Sequence, residues 1–238
     1  MINFLFSLME SPIIRYSLYE QIYDKFYKTN DKFLISVSNY IAGINFGSLY
    51  YNIRGDIGIY LNYLNSGKMY KTDEAGNIIG EFYSNFINFS FYKKFLKLNV
   101  HYENYIENEN NLNLSIGAIY KRKIKEFEIT FMFDYLGLNT PLIFGINTNY
   151  KGFNVGFSYE LEYKFIYNVC YKLPITNALN LYLSYTNRYE DFKTSKNIDI
   201  LTGFLGGIEV KFKKYKIGYG IRALSDYGFI NTIQVVYE

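Results

Sequence analysis

Residues 153–162 read Phe153-Asn154-Val155-Gly156-Phe157-Ser158-Tyr159-Glu160-Leu161-Glu162. Apolar and aromatic residues hold one parity; Asn, Gly, Ser and Glu hold the other. Side chains along a strand alternate between faces, so this stretch carries one apolar and one polar face. The unit recurs. Ile57, Ile59, Leu61 and Tyr63 oppose Asp56, Gly58 and Asn62, and Phe127, Ile129, Phe131, Phe133 and Tyr135 oppose Glu126, Glu128, Thr130 and Asp134. Tyr215, Ile217, Tyr219 and Ile221 oppose Lys216, Gly218, Gly220 and Arg222. About a dozen such units in series predict an all-β chain, specifically a transmembrane antiparallel β-barrel with an apolar face on lipid and a polar face on a lumen. A charge on the lipid side costs about 2–4 kcal/mol at the bilayer midplane, which accounts for one parity of each strand being nearly free of charge.

The alternation predicts strands near 32–38, 40–53, 55–65, 81–93, 95–106, 111–121, 124–136, 142–150, 152–161, 164–172, 179–189, 200–212, 215–223 and 229–238. The expected number is 12–14. Connections alternate between short turns, such as Lys93-Lys94 and Lys213-Lys214, and longer ones, such as 66–80 and 190–199. Bacterial outer-membrane barrels show that asymmetry between their two ends. Glu162-Tyr163 and Asn39-Tyr40 read as tight links that break it. Residues 1–31 lack the period of two; Ile13, Ile14, Leu18, Ile22 and Phe26 are spaced as on a helix face. The chain therefore divides into a short N-terminal helical or plug-like segment (1–31) and a barrel (32–238). Ile2–Met9 is apolar, but no Lys or Arg precedes it and Glu10 and Pro12 follow, so it does not read as a complete signal peptide.

Composition fits a barrel better than a helical membrane protein. The 238 residues are 49% hydrophobic and 21% aromatic, with 28 Tyr, 21 Phe and no Trp. Mean hydropathy is only −0.10, and no apolar run approaches the roughly 18 residues that a membrane helix needs. Interfacial girdles use such an excess of rings. Net charge is +3 with interspersed signs, which argues against nucleic acid as a partner. Membrane lipid is the partner that the strands themselves imply.

Chemistry-bearing motifs are sparse, and no enzymatic activity, cofactor or metal is expected. His101 is the sole histidine, and the strand serines Ser90 and Ser115 form no recognised nucleophile motif with it. Cys170 is the sole cysteine and reads as a small buried or lipid-facing residue. Asp73-Glu74 and Glu190-Asp191 lack the spacing of a calcium loop, and Gly203–Gly207 lacks the strand-then-helix context of a phosphate loop.

The most distinctive stretch is Gly67–Phe82, in which Thr72, Asp73, Glu74, Gly76, Asn77, Gly80, Glu81 and Phe82 form a polar turn re-entering a strand. Preceded by Tyr63, it resembles the loop of the PorV/PorQ-like outer-membrane barrels, which are similar to the FadL fatty-acid transporter class. The segment Phe33–Tyr51 also looks like that family's early strand pair. The family's Ala-Leu-Gly-Gly segment and Asn-Pro-Ala turn have no counterpart; Tyr16–Asn30 stands in their place. The resemblance implies a non-enzymatic protein of the bacterial outer membrane that supports type IX-like secretion or surface attachment. Secreted cargo or secretion machinery would then be its partner, contacting 66–80 and 190–199. A FadL-like channel for hydrophobic or small solutes is the alternative, and a soluble two-layer β protein is a third reading.

Overall fold

The computed structural model describes residues 32–39, 43–54, 57–104, 110–135, 142–160, 164–187, 193–194 and 197–238. The proposed N-terminal segment 1–31 lies outside the described residues. Strands run in the order β1 (Phe33–Asn39), β2 (Asn45–Asn52), β3 (Ile57–Asn65), β4 (Met69–Thr72), β5 (Ile78–Phe82) and β6 (Asn85–Lys93). They continue with β7 (Leu96–Asn104), β8 (Asn110–Ile124), β9 (Phe127–Tyr135), β10 (Leu142–Tyr150) and β11 (Phe153–Glu160). The last five are β12 (Lys164–Pro174), β13 (Leu179–Thr186), β14 (Phe204–Phe212), β15 (Tyr215–Ala223) and β16 (Phe229–Tyr237). Short 3-10 turns occupy Asn197–Leu201 and Ser225–Tyr227.

All these pairings are antiparallel, and sequence neighbours pair throughout except where β4 and β5 leave the main sheet and β3 pairs β6. β1 bonds β2 on one side and β16 on the other, with Phe33 opposite both Tyr51 and Tyr237. Fourteen strands thus form one ring, and β4–β5 forms a separate ribbon. A ring leaves no open sheet edge, so every strand of the ring has two partners for its backbone groups.

Four expectations change. The chain turns at Lys125-Glu126 rather than at 121–123, because β8 continues to Ile124 and β9 begins at Phe127. The connection 66–80 is in large part paired backbone, and Glu81 and Phe82 belong to β5 rather than to the strand that starts at Asn85. β1 and β2 are separated by residues 40–44, so the tight Asn39-Tyr40 link does not exist. Residues 197–201 form a 3-10 turn, which delays β14 to Phe204.

The parity rule is realised in burial. On β3, Ile59, Leu61 and Tyr63 face out while Tyr60, Asn62 and Leu64 are buried; on β7, Leu96, Leu98, Val100 and Tyr102 face out while Lys97 and Asn99 are buried. Among the strand side chains described, the exposed charges on the outward parity are Lys93, the last residue of β6, and Arg122, two residues from the end of β8, both next to short turns. Rings concentrate near the ends of this band. Phe127–Tyr150, Phe153–Tyr171 and Tyr215–Tyr237 pair at 4.6, 4.3 and 5.1 Å beside the short turns. At the other end Tyr63, Tyr102 and Tyr219 donate to Asn85, Asn110 and Asn231 of the adjacent strand at 2.9, 3.0 and 2.8 Å.

Turn geometry sets the short end. Lys94, Lys125, Lys151 and Lys213 open four tight hairpins with φ near +50°, as primed two-residue turns require.

Candidate functional site

The inner wall carries a register row of small and polar residues. Asn180, Glu209, Gly218, Gln234, Ser36, Ser48, Asn62 and Asn88 stand opposite one another in turn across β13, β14, β15, β16, β1, β2, β3 and β6. The row continues through His101 of β7 and Asn113 of β8. Ser36 and Ser48 hydroxyls meet at 2.5 Å, Ser38 and Thr232 at 2.6 Å, and both Asn180 Nδ2 and the Tyr182 hydroxyl donate to Glu209 Oε1 at 3.1 Å. Two cations are part of the buried wall, Lys97 at 0% exposure and Arg222 at 1%. Arg222 Nη1 donates to the Gly203 carbonyl at 2.7 Å, and Lys97 Nζ lies 5.8 Å from the Tyr92 ring centroid. Both amide atoms of Asn62 and of Asn154, and Asn88 Oδ1, are buried without a hydrogen-bond partner. The inner wall is therefore polar, closely covered and incompletely satisfied.

Among the described residues, the candidate serines have other partners or other register neighbours. The Ser90 hydroxyl donates to Asn99 Oδ1 at 2.6 Å, and Ser115 lies opposite Asn99 rather than His101. Cys170 is buried on the inner parity against Tyr182 and, as the sole cysteine, forms no internal disulfide. Among the described residues no three His, Cys, Asp or Glu side chains group closely enough to hold a metal.

The signature stretch forms the β4–β5 ribbon beyond the ends of β3 and β6. Its base is pinned by Ser66 N to the Ser84 carbonyl at 2.9 Å and Ser84 N to Ser66 Oγ at 2.8 Å. Its tip is built on Asp73, whose Oδ1 accepts from the amides of Ala75 and Asn77 at 2.9 and 2.8 Å while Oδ2 accepts from Asn77 Nδ2 at 2.9 Å. Gly76 supplies the left-handed residue at φ +86°. These donors, Asn77 foremost, hold the Asp73 carboxyl below its ordinary range. Along the ribbon, Lys68 meets Glu81 at 2.5 Å, and that bond raises the Lys68 pKa. Thr72, Glu74, Gly80 and Phe82 complete the strands and turn, with Thr72 opposite Ile78 and Lys71 opposite Gly80. Tyr70, Ile78, Ile79 and Tyr83 are all at least half exposed. The sequence reads as a hairpin loop beyond the rim with its turn at Asp73–Asn77; the structure adds two paired strands along it and ends β5 at Phe82.

A second tie at this rim joins the connections before β14 and β16. The Thr194 amide donates to Asp199 Oδ2 at 2.8 Å, and the Ser225 hydroxyl donates to Asp199 Oδ1. Glu190 and Asp191 lie outside the described residues. Three Asn pairs also close this end: Asn39–Asn45, Asn65–Asn85 and Asn104–Asn110, at 3.0, 2.7 and 2.8 Å.

No family model and no curated protein matches the chain. Among solved structures, a porin mutant of Rhodopseudomonas blastica is similar over 87% of this chain and 98% of its own, at 8% identity and TM-score 0.39. Salmonella typhi OmpF in complex with daunomycin covers 87% and 96%, at 8% identity and TM-score 0.38. A bacterial polysaccharide outer membrane secretin covers 89% and 99%, at 6% identity and TM-score 0.39. These are distant likenesses, and the fold assignment rests on the strand ladder itself.

Proposed function

We propose that this chain is an integral β-barrel of a bacterial outer membrane, non-enzymatic, that receives or holds a partner protein rather than conducting solutes. The observation that carries the reading is the outward face: mostly aliphatic and aromatic on the fourteen barrel strands, with Lys93 and Arg122, both beside short turns, as its described charges. Nine-residue strands such as β7 run about 30 Å at about 3.3 Å per residue. At a tilt of about 40° they rise about 23 Å, close to the roughly 25 Å apolar band of such barrels. In water the same face would be a contiguous apolar surface far beyond the few hundred Å² a soluble monomer tolerates, which disfavours the two-layer soluble reading.

Two features support partner handling over conduction. An open aqueous lumen would wet its wall, whereas Ser36, Ser48, Asn62, Asn88, Asn99 and Gln234 are all buried. The β4–β5 ribbon offers half-exposed Tyr and Ile side chains on a pinned, preformed strand pair. That arrangement suits strand addition or a peptide docked across its face. Both agree with the PorV/PorQ-like resemblance carried by Thr72–Phe82, under which the partner is secreted cargo or secretion machinery. The FadL-like alternative needs a greasy passage, and the Asn, Ser, Gln and Glu of the inner row do not supply one.

The test is reconstitution into planar bilayers after recovery of a heat-modifiable band from outer membranes. Heat modifiability without steady conductance supports the proposal. Large stable conductance steps would turn the assignment to a channel, and a protein that stays in the aqueous fraction would end it.

A further inference from the structure

We infer that the short-turn rim is a basic collar that binds the anionic headgroups of the lipid leaflet around it. The inference rests on the membrane reading above and adds a lipid preference to it. Lys94, Lys125, Lys151 and Lys213 occupy equivalent places, the first residue of four separate tight turns, each at positive φ. Gly or Asn fills such a place with less strain, since a side chain in the left-handed region costs about 1–2 kcal/mol. Four lysines at four strained positions therefore mark a requirement beyond turn geometry. All four are exposed, and Lys93 and Lys123 beside them are exposed as well. Glu126 meets Lys151 at 3.2 Å and Glu238 meets Lys211 at 2.9 Å, but among the described residues no carboxylate stands against Lys94, Lys125 or Lys213.

The opposite rim is of mixed sign: Asp73, Glu74, Glu81, Asp199 and Asp226 stand there with Lys68, Lys71 and Lys193 and the Asn pairs. Among the described residues the excess of lysine thus falls at the short-turn rim.

The depth of the collar identifies the partner. Immediately inside it lie the ring pairs Phe127–Tyr150, Phe153–Tyr171 and Tyr215–Tyr237, the residue types that settle at the headgroup level. Lys151 and Lys213 sit over the Tyr150 and Phe212 rings at 5.2 and 5.4 Å, so charge and ring occupy adjoining levels. A ring of cations one step beyond an interfacial girdle meets lipid phosphates on all sides, whereas a single acidic polymer would reach only an arc of it. Lysines near an anionic surface are attracted within a Debye length and lose that attraction in salt.

The experiment compares refolding of the full chain into vesicles of phosphatidylcholine alone and of phosphatidylcholine with 30 mol % phosphatidylglycerol, for the parent and for the quadruple variant K94N/K125N/K151N/K213N. Asparagine keeps the left-handed turn residue and removes the charge. The parent is expected to fold about tenfold faster with phosphatidylglycerol, and 0.5 M NaCl is expected to erase the gain. The variant, which keeps Lys93 and Lys123, is expected to lose most of the gain and to fold in phosphatidylcholine at the parent's rate. A variant that keeps the full gain, or a parent gain insensitive to salt, overturns the collar and leaves the membrane reading intact. A parent that enters neither vesicle overturns both. Should the quadruple variant fail to fold, the pair K94N/K213N must halve the gain on a logarithmic scale, and an unchanged gain there overturns the collar.

Discussion

Asn62 is fully buried with neither amide atom hydrogen-bonded, and Asn88 beside it in the next strand leaves its Oδ1 unmet. A buried polar group without a partner costs about 1–3 kcal/mol. Leucine is close to asparagine in size, so Asn62→Leu is expected to stabilise the folded barrel by about 1 kcal/mol, read as a higher urea midpoint for loss of the heat-modifiable band. A lower midpoint would mean that the amide holds an ordered water or a bound molecule. Asp73 gives a pH dependence with a definite sign. Hydrogen bonds from the Asn77 side chain and backbone lower its folded pKa below the ordinary 3.8. The stabilisation is therefore complete above the unfolded pKa and is lost as pH falls through the folded one. Amide exchange at Ala75 and Asn77 should be slow at pH 6 and accelerate beyond the intrinsic rate change below about pH 4. Asp73→Ala should leave both amides unprotected at every pH. The sequence showed Asp73, Gly76 and Asn77 as turn formers, but a polar turn has the same signature whether it caps a ribbon or closes a loose loop.

At the scale of elements, alternation located the ladder well, because an error of one residue would turn every apolar side chain inward. It failed where pairing is decided by neighbours rather than by pattern. Met69–Thr72 is four residues long, too short for a period to register, and its pairing to Ile78–Phe82 depends on the Ser66–Ser84 staple below it. The strand end at Phe82 was hidden because Glu81–Phe86 continues to look like strand on either side of Tyr83 and Ser84. Gly203 illustrates a constraint invisible to pattern reading. At φ +90° it packs against the backbone of β13, where a Cβ would fall well inside contact distance of the Thr186 carbonyl oxygen. Its carbonyl also accepts from Arg222 and from the Thr186 amide. Gly203→Ala is expected to destabilise the barrel by about 2–4 kcal/mol, visible as a lower urea midpoint, whereas Gly206→Ala, with open space around it, should change little.

For the whole molecule, the decisive asymmetries are radial and axial. Radially, apolar residues face out and a polar row runs within; axially, lysine turns close one end and Asn pairs, carboxylates and the ribbon crown the other. The radial half was legible because it repeats in every strand. Of the axial half, the alternation of short and long connections was legible, but the lysine turns, Asn pairs and ribbon were not, since they need knowledge of which side chains meet at each end. A membrane setting makes outward charge depth-dependent. Val100→Arg, in the middle of β7, is expected to cost about 2–4 kcal/mol of folding free energy in vesicles, and Ile124→Arg, beside a turn, about 0–1 kcal/mol. Equal effects at both sites would deny a bilayer around the band. The most direct measurement is spin-label accessibility along β7. With Cys170→Ser as background, single cysteines at 96 to 102 would be labelled and reconstituted into vesicles, then probed with oxygen and with a water-soluble nickel chelate. The membrane barrel predicts high oxygen and low nickel access at Leu98 and Val100, and low access to both at Lys97 and Asn99. Nickel access at Leu98 and Val100 as high as at an exposed turn would contradict it.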